Sequence, residues 1–260
     1  MQKPIEVIFI LGIERRQQIM EHLLQDNKVY VGSLSKIFKV TEETIRRDLE
    51  KLENEGLLQR SHGGAVLKEP TGEDFSFAKR AAVNCPFKQN LAEKAKFLIN
   101  DGDTIMVDSS TTALTLMHLL VNKKNITIIT NSIKLLNDFA DANFKMISCG
   151  GDLRTHSCAL VGTAACRALT RYYVDFTVIS CKGIDREKGI MESNEAESHI
   201  KQQMIRQAKS KLLLVDHTKF DKIAFTKTMD FNEIDYIVTD QEPDALWVSF
   251  LRKQNVKLIY

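Results

Sequence analysis

The chain has 260 residues, 43% of them hydrophobic and 27% charged, with a formal net charge of +2; this describes a soluble chain of one or two domains with a sizeable core. So small a net charge excludes bulk electrostatics as a source of nucleic-acid affinity. Even residues 1–68 carry 11 Lys and Arg against 10 Asp and Glu, so any DNA-binding role rests on where the charges sit.

The opening MQKPIEVIFILG carries Glu6 and lacks a small-residue cleavage site. A signal peptide is therefore not expected there, and an extra strand or a frayed extension fits better. No stretch approaches the ~20 apolar residues of a membrane helix. Five cysteines, odd in number and without CxxC pairs, suit free thiols in a reducing cytosol better than zinc or a disulfide framework. No metal or cofactor is expected.

Ile13, Ile19, Leu23 and Leu24 mark a first helix with Arg15 and Arg16 near its start. Val31 to Phe38 reads as a short second helix. A third begins at Thr41, a natural N-cap; Glu42 and Glu43 suit the positive end of its dipole, and Ile45, Leu49 and Leu52 form one apolar stripe. Gly56 follows its end. LLQRSH, Gly63-Gly64 and AVL then read as strand, tight turn and strand. A helix with a β-wing suits a DNA major groove and its phosphates. Thr41, Glu42, Thr44, Arg46, Arg47 and Lys51 are the expected DNA-facing residues of the helix, joined by Arg60 and His62 at the wing. Of Arg46 and Arg47, one is expected to reach a base edge or phosphate and the other to pair with Glu43 or Glu50.

Residues 69–86 hold two of the four prolines and a poorly periodic charged run. They read as a linker, with room for one helix near Phe75 to Val83. From residue 87 to 260, short apolar strands (TIMVD, ITIIT, FKMIS, DFTVISC, KLLLVD, DYIVTD, VKLIY) alternate with helical stretches, the mark of an α/β domain with a largely parallel sheet.

Ligands gather at the carboxyl ends of such strands. Asp108, Ser109, Ser110, Thr111 and Thr112 lie between a strand and a helix, where amides and hydroxyls can converge on an anion. One Ser or Thr is enough for a cap; four hydroxyl residues in succession exceed that need. Asn131 ends the next strand, and Gly150 and Gly151 permit close backbone approach. Lys182 with Asp185, and Asp216 with Lys219, can bind a phosphorylated polyol or transfer protons, although each singly is more often a solvated loop charge. Glu197 and Lys201 have the i,i+4 spacing of an exposed pair, which leaves Glu195 as the residue of that helix expected to face a ligand.

Glu14-Arg15-Arg16, VTEETIRRDLEKLENEGLLQRSHGGA from Val40 to Ala65, and then DGDTIMVDSSTTALTL, IITNS, CGGDLR, LVGTAA, CKGID and LLLVDHTKF resemble a DeoR-family transcriptional regulator over nearly all of Glu14 to Tyr260. The resemblance implies a winged helix-turn-helix domain (1–68), a linker (69–86) and an effector-sensing domain (87–260) similar to ribose-5-phosphate isomerase. It implies a repressor of sugar or nucleoside catabolism, a homodimer or homotetramer on a double-stranded operator, controlled by a phosphorylated sugar. Asp108 to Thr112 would hold the phosphate with Asn131, Gly150 and Gly151 close by, while Lys182, Asp185 and Lys219 line the sugar end. DSSTT stands here for the frequent DSGTT, GLLQRSH for GLLRRTH, and VGTAA for VGPxA. The rival reading is a sugar-phosphate isomerase with a DNA-binding appendage. Against it, the loop after DFTVISC offers only Asp185, not the isomerase's DGADE pattern, as a base.

Overall fold

A computed structural model describes residues 11–26, 28–55, 57–61, 63–67 and 75–260. His62, Gly56 and the first ten residues, about which the sequence raised expectations, lie outside them. The chain divides into two units, 1–70 and 71–260.

The first unit runs α1 (Gly12–Asp26), β1 (Lys28–Tyr30), α2 (Val31–Phe38), α3 (Glu42–Asn54), β2 (Leu58–Ser61) and β3 (Gly64–Leu67). Its core joins Ile19 and Leu23 of α1 to Val31, Leu34 and Phe38 of α2 and Ile45, Leu49 and Leu52 of α3. Ile13, expected in the apolar stripe of α1, is exposed instead. α2 ends on Lys39 in the left-handed region (φ 52°), and Thr41 starts α3 by accepting the Thr44 amide on Oγ1 at 3.2 Å. β1 was not foreseen; it pairs with β3, which pairs with β2, all antiparallel. Gly64 is required here because a Cβ would stand 2.0 Å from the Val29 carbonyl oxygen.

The second unit contains α4 (Phe77–Ala82), α5 (Cys85–Ala95), β4 (Thr104–Val107), α6 (Thr111–Leu119), β5 (Thr127–Thr130), α7 (Ile133–Asp138), β6 (Lys145–Ser148), β7 (Asp152–Arg154), β8 (Ala159–Val161), α8 (Gly162–Leu169) and β9 (Val174–Ser180). There follow β10 (Gly183–Asp185), β11 (Gly189–Glu192), α9 (Glu195–Arg206), β12 (Ala208–Leu214), β13 (Thr226–Met229), β14 (Tyr236–Val238), α10 (Ala245–Lys253) and β15 (Lys257–Ile259). Seven strands form a parallel sheet in the order β15-β14-β12-β9-β4-β5-β6. Alternate residues feed two cores: Ile105 and Val107 of β4 join one, Met106 the other. A sheet covered on both faces explains why these strands read as continuous apolar runs.

The chain steps from β4 to β5 and β6 on one side, and from β9 to β12, β14 and β15 on the other. The order reverses between β4 and β9, which opens a crevice at their carboxyl ends. Two small antiparallel elements, β10-β11-β13 and the β7-β8 hairpin, were not foreseen. Residues 75–86, read from the sequence as linker, form α4 and the start of α5 within this unit.

Candidate DNA-reading surface and effector site

α3 turns Ile45, Asp48, Leu49 and Leu52 inward and leaves Glu42, Glu43, Arg46, Arg47, Glu50 and Lys51 exposed. Asp48 is buried because α1 brings two cations to it: Arg15 Nε lies 2.6 Å from Oδ2, and Arg16 Nη1 lies 3.4 Å from Oδ1. The arginine pair of the first helix therefore anchors α3. Arg46 Nη2 meets Glu42 at 2.7 Å and Arg47 Nε meets Glu43 at 3.3 Å. Both arginines are thus paired along the exposed face, neither with Glu50. Such exposed i,i+4 pairs contribute only a few tenths of a kcal/mol, so the glutamates hold the two arginines only weakly. In the wing, Arg60 bonds Glu53 of α3 through both its backbone N (2.9 Å) and Nε (2.7 Å), which raises its pKa and braces β2 against the helix.

In the second unit the charged groups meet at the crevice. Asp108, just past β4, is 1% exposed. Its Oδ1 accepts the Ser110 amide and its Oδ2 the Ser180 amide, both at 3.0 Å. Lys201 Nζ stands 3.0 Å from Asp108 Oδ2, 2.8 Å from Glu192 Oε1 and 2.6 Å from the Ser180 carbonyl. Burial opposes the charge on Lys201, yet Glu192, Asp108 and Glu197 outweigh it and hold its pKa above the usual lysine value. Asp108 is therefore tied up in joining β4 to β9, and a carboxylate so placed does not itself hold a phosphate.

The hydroxyl residues beside it are buried. Ser110 caps α6 by accepting the Ala113 amide on Oγ, and Thr111 Oγ1 donates to the Arg80 carbonyl at 3.5 Å. Asn131 is buried at the end of β5, its Nδ2 donating to the Leu160 carbonyl at 3.1 Å. Gly151, at φ +106°, takes a position where a Cβ would approach the Val161 oxygen to 2.5 Å; Gly150 precedes it in the exit from β6. Lys182 lies 4.6 Å from the Phe75 ring centroid. Lys219 follows β12, where Asp216 caps the short turn that carries it by accepting the Thr218 amide.

Two expectations fail here. Glu195 is solvent-exposed and, among the described residues, approaches His199 at 4.0 Å, whereas Glu197 and Lys201 are buried rather than paired at the surface. The spacing was right, but α9 turns that face inward: Glu197 meets Arg154 at 2.9 Å and Lys201 reaches Asp108. Asp185 accepts the Glu187 and Lys188 amides at 2.9 and 2.8 Å, so it serves the β10–β11 turn.

Sequence reasoning missed Lys88, Arg80, Arg154 and Glu192. Lys88 on α5 is buried, its ammonium held by the Arg80 and Val83 carbonyls. Burial, and then Lys219 nearby, push its pKa down to about 8. Its partners are carbonyl oxygens, and no pattern in the sequence marks those. Among the described residues, no three His, Cys, Asp or Glu side chains converge on a metal site, and no helix is long and apolar enough to cross a membrane.

A winged helix-turn-helix with an arginine-bearing face, followed in the same chain by an α/β domain whose charges converge at a strand-order reversal, defines a transcriptional regulator with a built-in sensor. The chain belongs to the DeoR family: residues 15–71 match the DeoR-like helix-turn-helix domain and residues 84–241 the DeoR C terminal sensor domain. It is 37% identical over 250 residues to the HTH-type transcriptional regulator YulB of Bacillus subtilis (strain 168), covering 96% of each chain. It is 31% identical over 249 residues to a putative aga operon transcriptional repressor of Escherichia coli O157:H7, covering 95% of this chain and 93% of that one. Among solved structures, ribose 5-phosphate isomerase a from Methanocaldococcus jannaschii aligns over 51% of this chain and 53% of its own, at 16% identity and a TM-score of 0.38. The relatives matched over nearly their full length are named as transcriptional regulators, and this protein is a DNA-binding regulator of the same family.

Proposed function

We propose that the protein represses a sugar or nucleoside catabolic operon and that a phosphorylated sugar, bound at the carboxyl ends of β4, β5, β9 and β12, controls its affinity for the operator. The observation that carries this reading is the charge at the crevice. Lys201 and Arg154 meet Asp108, Glu192 and Glu197, three carboxylates to two cations, while Lys88, Lys219 and Arg80 gather around the one further carboxylate of Asp216, which leaves the cations in excess by one. Surplus positive charge beside the hydroxyl run Ser109 to Thr112 suits a phosphate ester. Lys182 and Lys219 extend the site toward the sugar. On the DNA side, Thr44, Arg46, Arg47 and Lys51 face the major groove, with Arg60 at the wing. Two copies are needed, because paired recognition helices read half-sites one turn, roughly 34 Å, or a multiple of it apart.

The ligand acts by binding the DNA-competent and DNA-incompetent states with different affinity. The test is fluorescence anisotropy of a duplex selected by the protein from a random pool, titrated at fixed salt with a panel of sugar phosphates and the matching free sugars. A shift of operator affinity by a phosphorylated but not by a free sugar supports the reading; indifference to the whole panel refutes it.

A further inference from the structure

Part of the strand-end site comes from a segment that reads in sequence as linker. α4 begins directly after Phe75 and Ser76 and carries Arg80. Arg80 Nε donates to the Phe75 carbonyl at 3.1 Å, and its guanidinium carbon lies 5.7 Å from the Phe77 ring centroid. Its carbonyl oxygen accepts from Thr111 Oγ1 and from the Lys88 ammonium. These contacts hold Arg80 against the hydroxyl run that begins α6.

Arg80 Nη2 is nonetheless buried with no hydrogen-bond partner among the described residues. A buried donor left unsatisfied costs about 1–3 kcal/mol, and more when it is charged, so such atoms are few in native proteins and call for an explanation. A second one stands on a neighbouring strand end: Asn131 Oδ1, in a residue 1% exposed. The amide is not reversed, because Nδ2 faces the Leu160 carbonyl, which only accepts. One unsatisfied atom is a cationic donor and the other a neutral acceptor. An anionic oxygen satisfies the first and a hydroxyl the second.

We infer that Arg80 binds the anionic group of the effector, so that α4, the first element after the stretch between the two units, forms a wall of the effector site. The inference rests on the sugar-phosphate reading and deepens it. Arg80 shares its surroundings with two more cations, since Lys88 feels both Lys219 and Arg80. The nearby Asp216 is already engaged by Thr218. Phe75 lies 3.8 Å from Lys79 Nζ and 4.6 Å from Lys182 Nζ, so the residues leading into α4 pack against the loop that follows β9. An anion gathered by Arg80 and the residues of that loop tightens α4 onto the sheet ends.

The experiment follows the thermal transition of the full chain through Trp247, the lone tryptophan, in chloride and in inorganic phosphate at equal ionic strength, and with triose, pentose and hexose phosphates. A ligand that binds only the folded state raises the midpoint in proportion to its occupancy. The wild type is expected to rise with phosphate. Arg80→Lys, which keeps the charge but loses the planar fork, is expected to keep its midpoint in chloride and to need about tenfold more phosphate for the same rise; Arg80→Gln is expected to show almost none. Equal responses from the wild type and Arg80→Lys overturn the role of Arg80 and leave the sugar-phosphate reading standing. No response of the wild type to any of these anions overturns both.

Discussion

Lys201→Met is the most informative single perturbation of the sensor fold. It removes the ammonium that Asp108 and Glu192 share and leaves both carboxylates in place, at 1% and 6% exposure. Breaking a buried ion pair from one side costs about 3–5 kcal/mol, a large fraction of a domain's usual ~5–15 kcal/mol. The loss falls mainly on Glu192. Asp108 keeps the Ser110 and Ser180 amides, whereas Glu192 loses its ion pair with Lys201 with no such backbone amides shown to replace it among the described residues. Urea titrations followed through buried Trp247, at one pH and one ionic strength, read the loss. The account predicts a loss of at least about 3 kcal/mol and recovery of at least about 1 kcal/mol when Glu192→Gln is added. A loss under about 1 kcal/mol refutes the reasoning.

Three further outcomes follow from the same contacts. Asp48→Ala removes the buried carboxylate that both Arg15 and Arg16 reach, so the amides of α3 should exchange faster by the equivalent of about 3 kcal/mol while the Trp247 transition stays put; unchanged exchange refutes the anchor. Glu43→Gln frees Arg47 and weakens one contact to Arg46, so it should tighten DNA binding about threefold at low salt and less at high salt, measured by anisotropy. Lys88 has its pKa depressed to about 8 by burial and by Lys219; it is charged below that pH and neutral above it. Calorimetric affinity for a phosphate ester should therefore hold to about pH 8 and then decline by up to roughly tenfold per pH unit, and a flat profile to pH 9 contradicts its place in the site.

The sequence made the front of the chain and the presence of the parallel strands legible, the first through a helical period and the second through short continuous apolar runs. Ile45, Leu49 and Leu52 sit on one stripe of α3, and runs such as TIMV and TIIT are apolar because both faces of the sheet are covered. β1, β7, β8 and β10 escaped notice because each has three residues, too few to alternate visibly. The site was harder to read because burial decides it. Glu197 and Lys201 have the spacing of a solvated pair, and only the packing of α9 turns them inward. Arg80, in a proline-flanked stretch, and Lys88, just after it, lay hidden because their partners are backbone oxygens. The Asp48 contact joins residues more than thirty positions apart, a distance at which no local pattern operates.

The central claim is that the exposed arginines of α3 grip duplex DNA and that an anion in the sensor domain modulates the grip. Anisotropy of a pool-selected duplex, measured at fixed salt for wild type, Arg46→Ala and Arg47→Ala, each with and without the effective sugar phosphate, tests it most directly. The account predicts that at least one substitution weakens binding by about tenfold or more, leaves the Trp247 transition unchanged, and leaves the response of the protein's thermal midpoint to the sugar phosphate intact. Wild-type affinity in both variants would contradict it.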